Sequence, residues 1–138
     1  MKKLWFFCTC MMVLIVLCSG LCLAKPTEIN FYMWQDPTYE SIVKAFNDSQ
    51  KDIVVKINSI PNADYETKII TILSGGANLD CYMQKRQTDI FPQYSNGFIE
   101  PLDKLIKKYK YDVNNFKSYL PQVTVNGKIA AIPFRGGA

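Results

Sequence analysis

Glu28-Ile-Asn-Phe-Tyr-Met-Trp-Gln-Asp36 is the stretch on which the fold turns. Ile29, Phe31 and Met33 alternate with Asn30, Tyr32 and Trp34, a period of two that fits a pleated strand covered on both faces. Pro37 and a helical pattern follow at once. In open α/β sheets the edge where strands give way to helices is where ligands bind. Trp34, Gln35 and Asp36 stand at that edge and form the first candidate ligand site. An indole offers a flat apolar face, and an amide and a carboxylate can hydrogen-bond hydroxyl groups beside it.

Downstream, Tyr39, Ile42, Val43 and Phe46 recur at i, i+3, i+4 and i+7, which predicts a helix opened by Pro37, with one apolar face, fading at Asn47-Asp48-Ser49. Ile53 to Ile60 is rich in β-branched residues and predicts a second strand, stopped by Pro61. Asn62 or Asp64 is placed to cap the next helix, in which Tyr65, Ile69, Ile72 and Leu73 form a buried stripe and Gly75-Gly76 the stop. Leu79 to Met83 predicts a third, shorter strand. Strands and helices alternating over such short connections imply parallel pairing with right-handed crossovers, and hence an α/β fold with the first strand between the second and the third. The tips of the first and third strands then open onto one edge, which adds Asp80 and Arg86 to the candidate site.

Beyond the third strand, Asp89 to Tyr94 reads as helical despite Pro92 and ends at Asn96-Gly97. Glu100-Pro101 opens a helix with Leu102, Leu105, Ile106 and Tyr109 on one side and Lys104, Lys107, Lys108 and Lys110 on the other, a solvated face rather than a polyanion site. Val123 to Ile132 predicts a hairpin, because Asn126-Gly127 can supply the two positive φ angles of a type I′ turn. Pro133 ends it, and Phe134-Arg135 follows.

Upstream of the first strand, Met1-Lys-Lys3 precedes an uncharged run from Leu4 to Ala24, the form of a secretory signal with cleavage expected after Ala24. The run is long enough to span a bilayer, which leaves an uncleaved anchor open. Cys22, preceded by Ser19-Gly20-Leu21, leaves a lipid anchor open as well. All three outcomes export the remainder. The chain therefore divides into a leader, residues 1–24, and a body, residues 25–138. Gly136-Gly137-Ala138 looks like sequence from the middle of a protein, so the body is expected to be incomplete.

The leader also changes the composition. Of 16 basic residues Lys2 and Lys3 belong to it, and the rest nearly balance the 12 acidic ones and are interspersed with them, so there is no nucleic-acid footprint. Four of the 5 cysteines (Cys8, Cys10, Cys18 and Cys22) lie in the leader; Cys81 alone remains in the body, where a thiol in a strand is expected to act as a small core hydrophobe. The chain has no histidine, which removes the commonest zinc ligand and general base. Gly75-Gly76 lacks the spacing of a phosphate-binding loop, and neither a nucleophile elbow nor a pair of carboxylates at catalytic spacing is found. No enzymatic activity, metal or cofactor is expected. What remains suits reversible binding of a polar ligand, with Arg86 or Arg135 as forked donors.

The order of these segments resembles the N-terminal part of the extracellular solute-binding proteins, family 1, of ABC importers. The likeness is carried by the strand ending in Trp34-Gln35-Asp36, by Ala45-Phe46-Asn47 and Val54-Val-Lys56, and by Asp64-Tyr-Glu-Thr-Lys68 leading to Leu73-Ser-Gly-Gly-Ala77 and Asp80. Gly97-Phe-Ile-Glu-Pro-Leu-Asp103 and Asn126-Gly-Lys-Ile-Ala-Ala-Ile-Pro133 complete it. The resemblance implies an exported receptor, most often for sugars, whose two α/β lobes close on a small solute and dock on a membrane permease. It implies that Trp34, Gln35, Asp36, the loop after Asp80, and Phe134-Arg135 face the cleft. Members are several times longer, so the resemblance covers only an N-terminal portion. Such a portion alone is expected to bind sugar poorly, and polyamine or metal receptors share the architecture.

Overall fold

The computed structural model describes residues 25–134. Strand β1, Thr27–Trp34, pairs in parallel with β2, Ile53–Ile60, along its whole length, from Thr27 opposite Ile53 to Trp34 opposite Ile60. On its other side β1 pairs in parallel with β3, Cys81–Tyr82, in the register Phe31 to Cys81. The order is β2-β1-β3, so the first strand is central as its alternation predicts. β3 is shorter than Leu79 to Met83. Its ladder continues at both ends through the Asp80 N–H donating to the Asn30 carbonyl (3.1 Å) and the Met83 N–H to the Tyr32 carbonyl (3.0 Å), but on its outer side no strand is paired among the described residues.

Helix α1, Pro37–Ser49, links β1 to β2, and α2, Tyr65–Ser74, links β2 to β3. The two crossovers run in opposite directions across the sheet, so right-handed connections put the two helices on opposite faces. α2 covers the face that carries Tyr32 and Trp34: Ile60, Tyr65 and Ile69 are buried there, with Ile72, Leu73, Leu79 and Tyr82 packed against them. Met33 points to the other face by strand alternation and is 0% exposed. The apolar stripe of α1 is only partly covered, with Ile42 58% and Phe46 43% exposed.

Two local expectations are corrected. Neither Asn62 nor Asp64 caps α2 through its side chain; Asp64 occupies the N-cap position but makes no side-chain cap bond, because its backbone there is already helical (φ −93°, ψ −9°). A cap side chain reaches the free N–H groups from an extended backbone. Cys81 is exposed rather than in the core, since β3 lies at the sheet's edge.

A second cluster forms beyond the sheet. After a turn of 3₁₀ helix at Gln87–Asp89 comes α3, Ile90–Ser95, then α4, Asp103–Tyr109, and a hairpin of β4, Thr124–Val125, and β5, Lys128–Ile129. Asn126 (φ 50°) and Gly127 (φ 73°) join the hairpin strands, both in the left-handed region as a type I′ turn demands. Its strands are shorter than Val123 to Ile132, although the Ala130 N–H still reaches the Val123 carbonyl at 2.9 Å. Ile90, Val123, Val125 and Ala130 are buried together. The Asp103 carboxylate accepts from the Ile129 N–H (3.1 Å) and the Leu102 N–H donates to the Ile129 carbonyl (2.8 Å), which pins α4 to the hairpin. The expected apolar side of α4 is largely uncovered, with Leu105 and Tyr109 exposed. The two clusters meet where the Tyr82 hydroxyl donates to Oε1 of buried Gln93 at 2.8 Å.

Candidate functional site

Parallel pairing brings the ends of all three strands to one edge, and the aromatic residues gather there. Trp34 ends β1. Tyr39 stands in the first turn of α1, Tyr65 opens α2, and Phe134 arrives from the segment after the hairpin. The Trp34 ring meets Tyr65 edge to face, with centroids 5.5 Å apart and planes at 88°, and meets Tyr39 in the same way at 6.3 Å. Phe134 leans on Trp34 at 6.3 Å and 44°, and on Tyr39 at 5.6 Å and 82°. Such tilted and perpendicular pairs suit the ring quadrupoles, each adding about 0.5–1.5 kcal/mol beyond area burial. Lys85 completes the group: its ammonium lies 5.7 Å from the Trp34 centroid and 5.5 Å from that of Tyr65. The same ammonium donates to the Asn62 backbone carbonyl at 2.7 Å and also to the Asn62 side-chain oxygen.

Tyr65 holds this edge together from below. It is 1% exposed, and its hydroxyl donates to the Met83 carbonyl at 2.6 Å while lying 3.1 Å from the Tyr32 carbonyl. Burial pushes its phenol well above the ordinary tyrosine value, so it stays a neutral donor. Burial also raises Tyr82, to about 12, with the Asp89 carboxylate adding to the rise.

The sequence candidates fall into separate groups. Trp34 and Phe134 lie in the ring cluster. Gln35 follows directly; its backbone N–H donates to the Ile60 carbonyl at 3.0 Å and its side chain is exposed. Asp36 serves the backbone, since one carboxylate oxygen accepts from the Thr38 N–H at 2.9 Å and caps α1. Asp80 lies away from the tip, level with Asn30, where its carboxylate accepts from the Asn30 N–H at 2.7 Å. Arg86 points its Nε between Asp89 (3.1 Å) and Glu66 (3.2 Å), and those two carboxylates hold its guanidinium protonated even more firmly than usual. Arg135 lies outside the described residues. Tyr39, Tyr65 and Asn62 are the site residues that sequence reasoning missed, whereas Lys85 falls in the loop after Asp80 that the resemblance implies at the cleft. Both tyrosines had a signal: each sits in the first turn of a helix that follows a strand.

The edge can offer ring faces, a cation and the Gln35 amide to a polar ligand. Among the described residues no group of three or more Cys, Asp or Glu side chains could hold a metal ion, and no helix is long and apolar enough to cross a membrane.

Residues 34–138 match the family of bacterial extracellular solute-binding proteins. The chain belongs to that family. Among solved structures the chain is similar to an ABC substrate-binding protein from Listeria monocytogenes in complex with cycloalternan, at 28% identity and a TM-score of 0.62 over 75% of this chain and 27% of that one. Its fold is also that of an N-glycan transport solute-binding protein from Streptococcus pneumoniae, at 24% identity and a TM-score of 0.59 over 78% of this chain and 25% of that one. The chain thus spans about a quarter of the length of either structure. No curated protein matches it. The parallel sheet with flanking helices expected from the sequence is the architecture shared with these neighbours.

Proposed function

We propose that this chain supplies part of the N-terminal lobe of a carbohydrate receptor of an ABC importer, with residues 1–24 as its export signal and lobe sequence from residue 25 to residue 138. The observation that carries the reading is the ring cluster of Trp34, Tyr39 and Phe134 on the strand-exit edge. Sugar rings present C–H faces that lie against such rings, while Gln35 and Lys85 meet hydroxyls at their rim. A relative at 28% identity was solved with the carbohydrate cycloalternan, which points the same way.

In this reading the lobe covers one side of the ligand, and affinity comes from closure of a second lobe over the other. The permease is the partner that the closed form meets. Residues 1–24 deliver the receptor outside the cytoplasmic membrane, by cleavage after Ala24 or with an anchor at Cys22 or in the leader itself.

The test is calorimetry with a panel of linear and cyclic oligosaccharides on two proteins: the 138-residue chain and the longer receptor that shares its sequence. The expected result is weak or absent binding by the short chain. The longer receptor is expected to bind at about micromolar affinity and to lose at least about tenfold with Trp34→Ala. Undiminished affinity in that variant would remove Trp34 from the site, and binding of polyamines or metal ions in place of sugars would replace the ligand class. A second reading is a truncated gene product with no transport activity of its own. The reading frame beyond codon 138 separates the two: continuation into a second lobe supports the receptor, and a stop codon the inactive product.

A further inference from the structure

Among the described residues β2 is an edge strand, and its backbone alternates between β1 and the outer side. The Thr27 N–H donates to the Asp52 carbonyl (2.8 Å) and the Gln35 N–H to the Ile60 carbonyl (3.0 Å), so the even-numbered residues of this stretch face β1. By the same alternation the N–H and C=O groups of Ile53, Val55, Ile57 and Ser59 point away from the sheet. Two of these four residues already have partners. Gln50 donates through Nε2 to the Ile53 carbonyl (2.7 Å) and accepts at Oε1 from the N–H groups of Ile53 and Asp52 (2.8 Å each). Asn47 donates through Nδ2 to the Val55 carbonyl (3.0 Å) and accepts at Oδ1 from the Val55 N–H (2.9 Å). Each side-chain amide thus presents the donor and acceptor that a neighbouring strand would present. Beyond them Ile57 and Ser59 border an open groove of about 580 Å³ beside Lys68, Thr71 and Ile72 of α2.

The guarded strand needs such treatment. Ile53-Val-Val-Lys-Ile-Asn-Ser-Ile60 is β-branched, carries one charge and lacks proline and glycine, the composition of segments that add to strands of other chains. We propose that Asn47 and Gln50 act as edge guards that keep β2 from pairing with a second copy of this chain. A second copy is the fitting occupant because antiparallel pairing of β2 with β2 is self-complementary about a two-fold axis, with the same outward groups on both sides. With the guards in place only Ile57 and Ser59 are open among the described residues, too short a run for a lasting ladder. Without them the outward groups of all four residues are open on each copy.

The full chain carrying N47A and Q50A together is compared with the unsubstituted chain by sedimentation and by residue-resolved hydrogen exchange in the same buffer. The expected result is a new dimer or larger species, dispersed again when S59P is added, since proline removes one outward N–H at a position where an edge strand tolerates it. At concentrations low enough that N47A/Q50A is itself unassociated, exchange at Ile53 and Val55 rises about tenfold over the unsubstituted chain while Lys56, whose N–H faces β1, is unchanged. An association state equal to that of the unsubstituted chain, with exchange at Ile53 and Val55 accelerated, overturns the proposal. If the alanine pair loses its fold, the near-isosteric pair N47L/Q50M keeps the side-chain volume but neither the donors nor the acceptors. Unchanged association of that pair overturns the proposal too.

Discussion

The Tyr65 hydroxyl sits 2.6 Å from the carbonyl of Met83 and 3.1 Å from that of Tyr32, so one side chain from the start of α2 fastens the exits of β1 and β3. Its ring is also the base on which Trp34 stands, 5.5 Å away. Removing the hydroxyl leaves the Met83 carbonyl, which this bond satisfies, without its phenol donor in a buried setting. Such a loss costs about 1–3 kcal/mol. Tyr65→Phe is therefore expected to lower the urea midpoint of the chain with an unchanged slope. A midpoint equal to that of the unsubstituted chain would mean that the two strand ends hold together without the phenol.

Asp36 offers a way to separate a structural role from a binding role. Its carboxylate caps α1 at the Thr38 N–H, and a cap lost to alanine costs about 1 kcal/mol. Asparagine keeps the accepting oxygen and removes the charge. Asp36→Ala is expected to lower the thermal midpoint, whereas Asp36→Asn leaves it within a few tenths of a kcal/mol. If Asp36 also touches the ligand, Asp36→Asn in a receptor of the proposed kind that carries this lobe weakens sugar binding with no loss of stability. An equal stability loss in both variants would exclude the cap as the source.

Much of this arrangement was legible in the sequence because it rests on local rules. Alternation in Ile29 to Trp34, β-branching in Ile53 to Ile60, Pro37 after Asp36, and Asn126-Gly127 each specify their own element, and the short connections place β1 in the middle of the sheet. Of the candidate site, Trp34, Gln35 and Phe134 were legible. Tyr39 and Tyr65 fit a helical stripe, so their periodicity explained them as core and hid their place at the strand exits. Asp80 and Arg86 found partners that spacing does not reveal: an Asn30 N–H fifty positions earlier in the chain, and Glu66 on the preceding helix. Asn47 reads as part of the polar end of a helix, and its bonds to β2, like those of Gln50, exist only once the chain has folded back.

Alkaline pH should unfold the chain through its tyrosines. An unfolded phenol ionises near pH 10. Folded Tyr82 holds its proton to about 12, and Tyr65 is raised in the same sense, both chiefly through burial. Between these values the folded state binds protons that the unfolded state has released, so stability falls as pH rises. The contribution is whole below about pH 10 and is lost as pH passes through the folded values. Urea midpoints at neutral pH and at about pH 11 should show this fall, and Tyr82→Phe should make it shallower. A midpoint unchanged between the two would mean that these phenols titrate alike in both states.

Gly127 tests the hairpin that completes the second cluster. Its φ of 73° lies in the left-handed region, and no atom stands within 4 Å of where a Cβ would be added, so a substitution meets backbone strain and nothing else. For alanine that strain is about 1 kcal/mol, and for asparagine, which tolerates this region, it is smaller. Gly127→Ala is expected to lower the urea midpoint more than Gly127→Asn. The loss should come with faster hydrogen exchange at Ala130, whose N–H bonds to the Val123 carbonyl just beyond the turn. Equal losses for the two substitutions would show that the turn does not require the left-handed backbone, and would leave the packing of Val123, Val125 and Ala130 against Ile90 as what holds the hairpin in place.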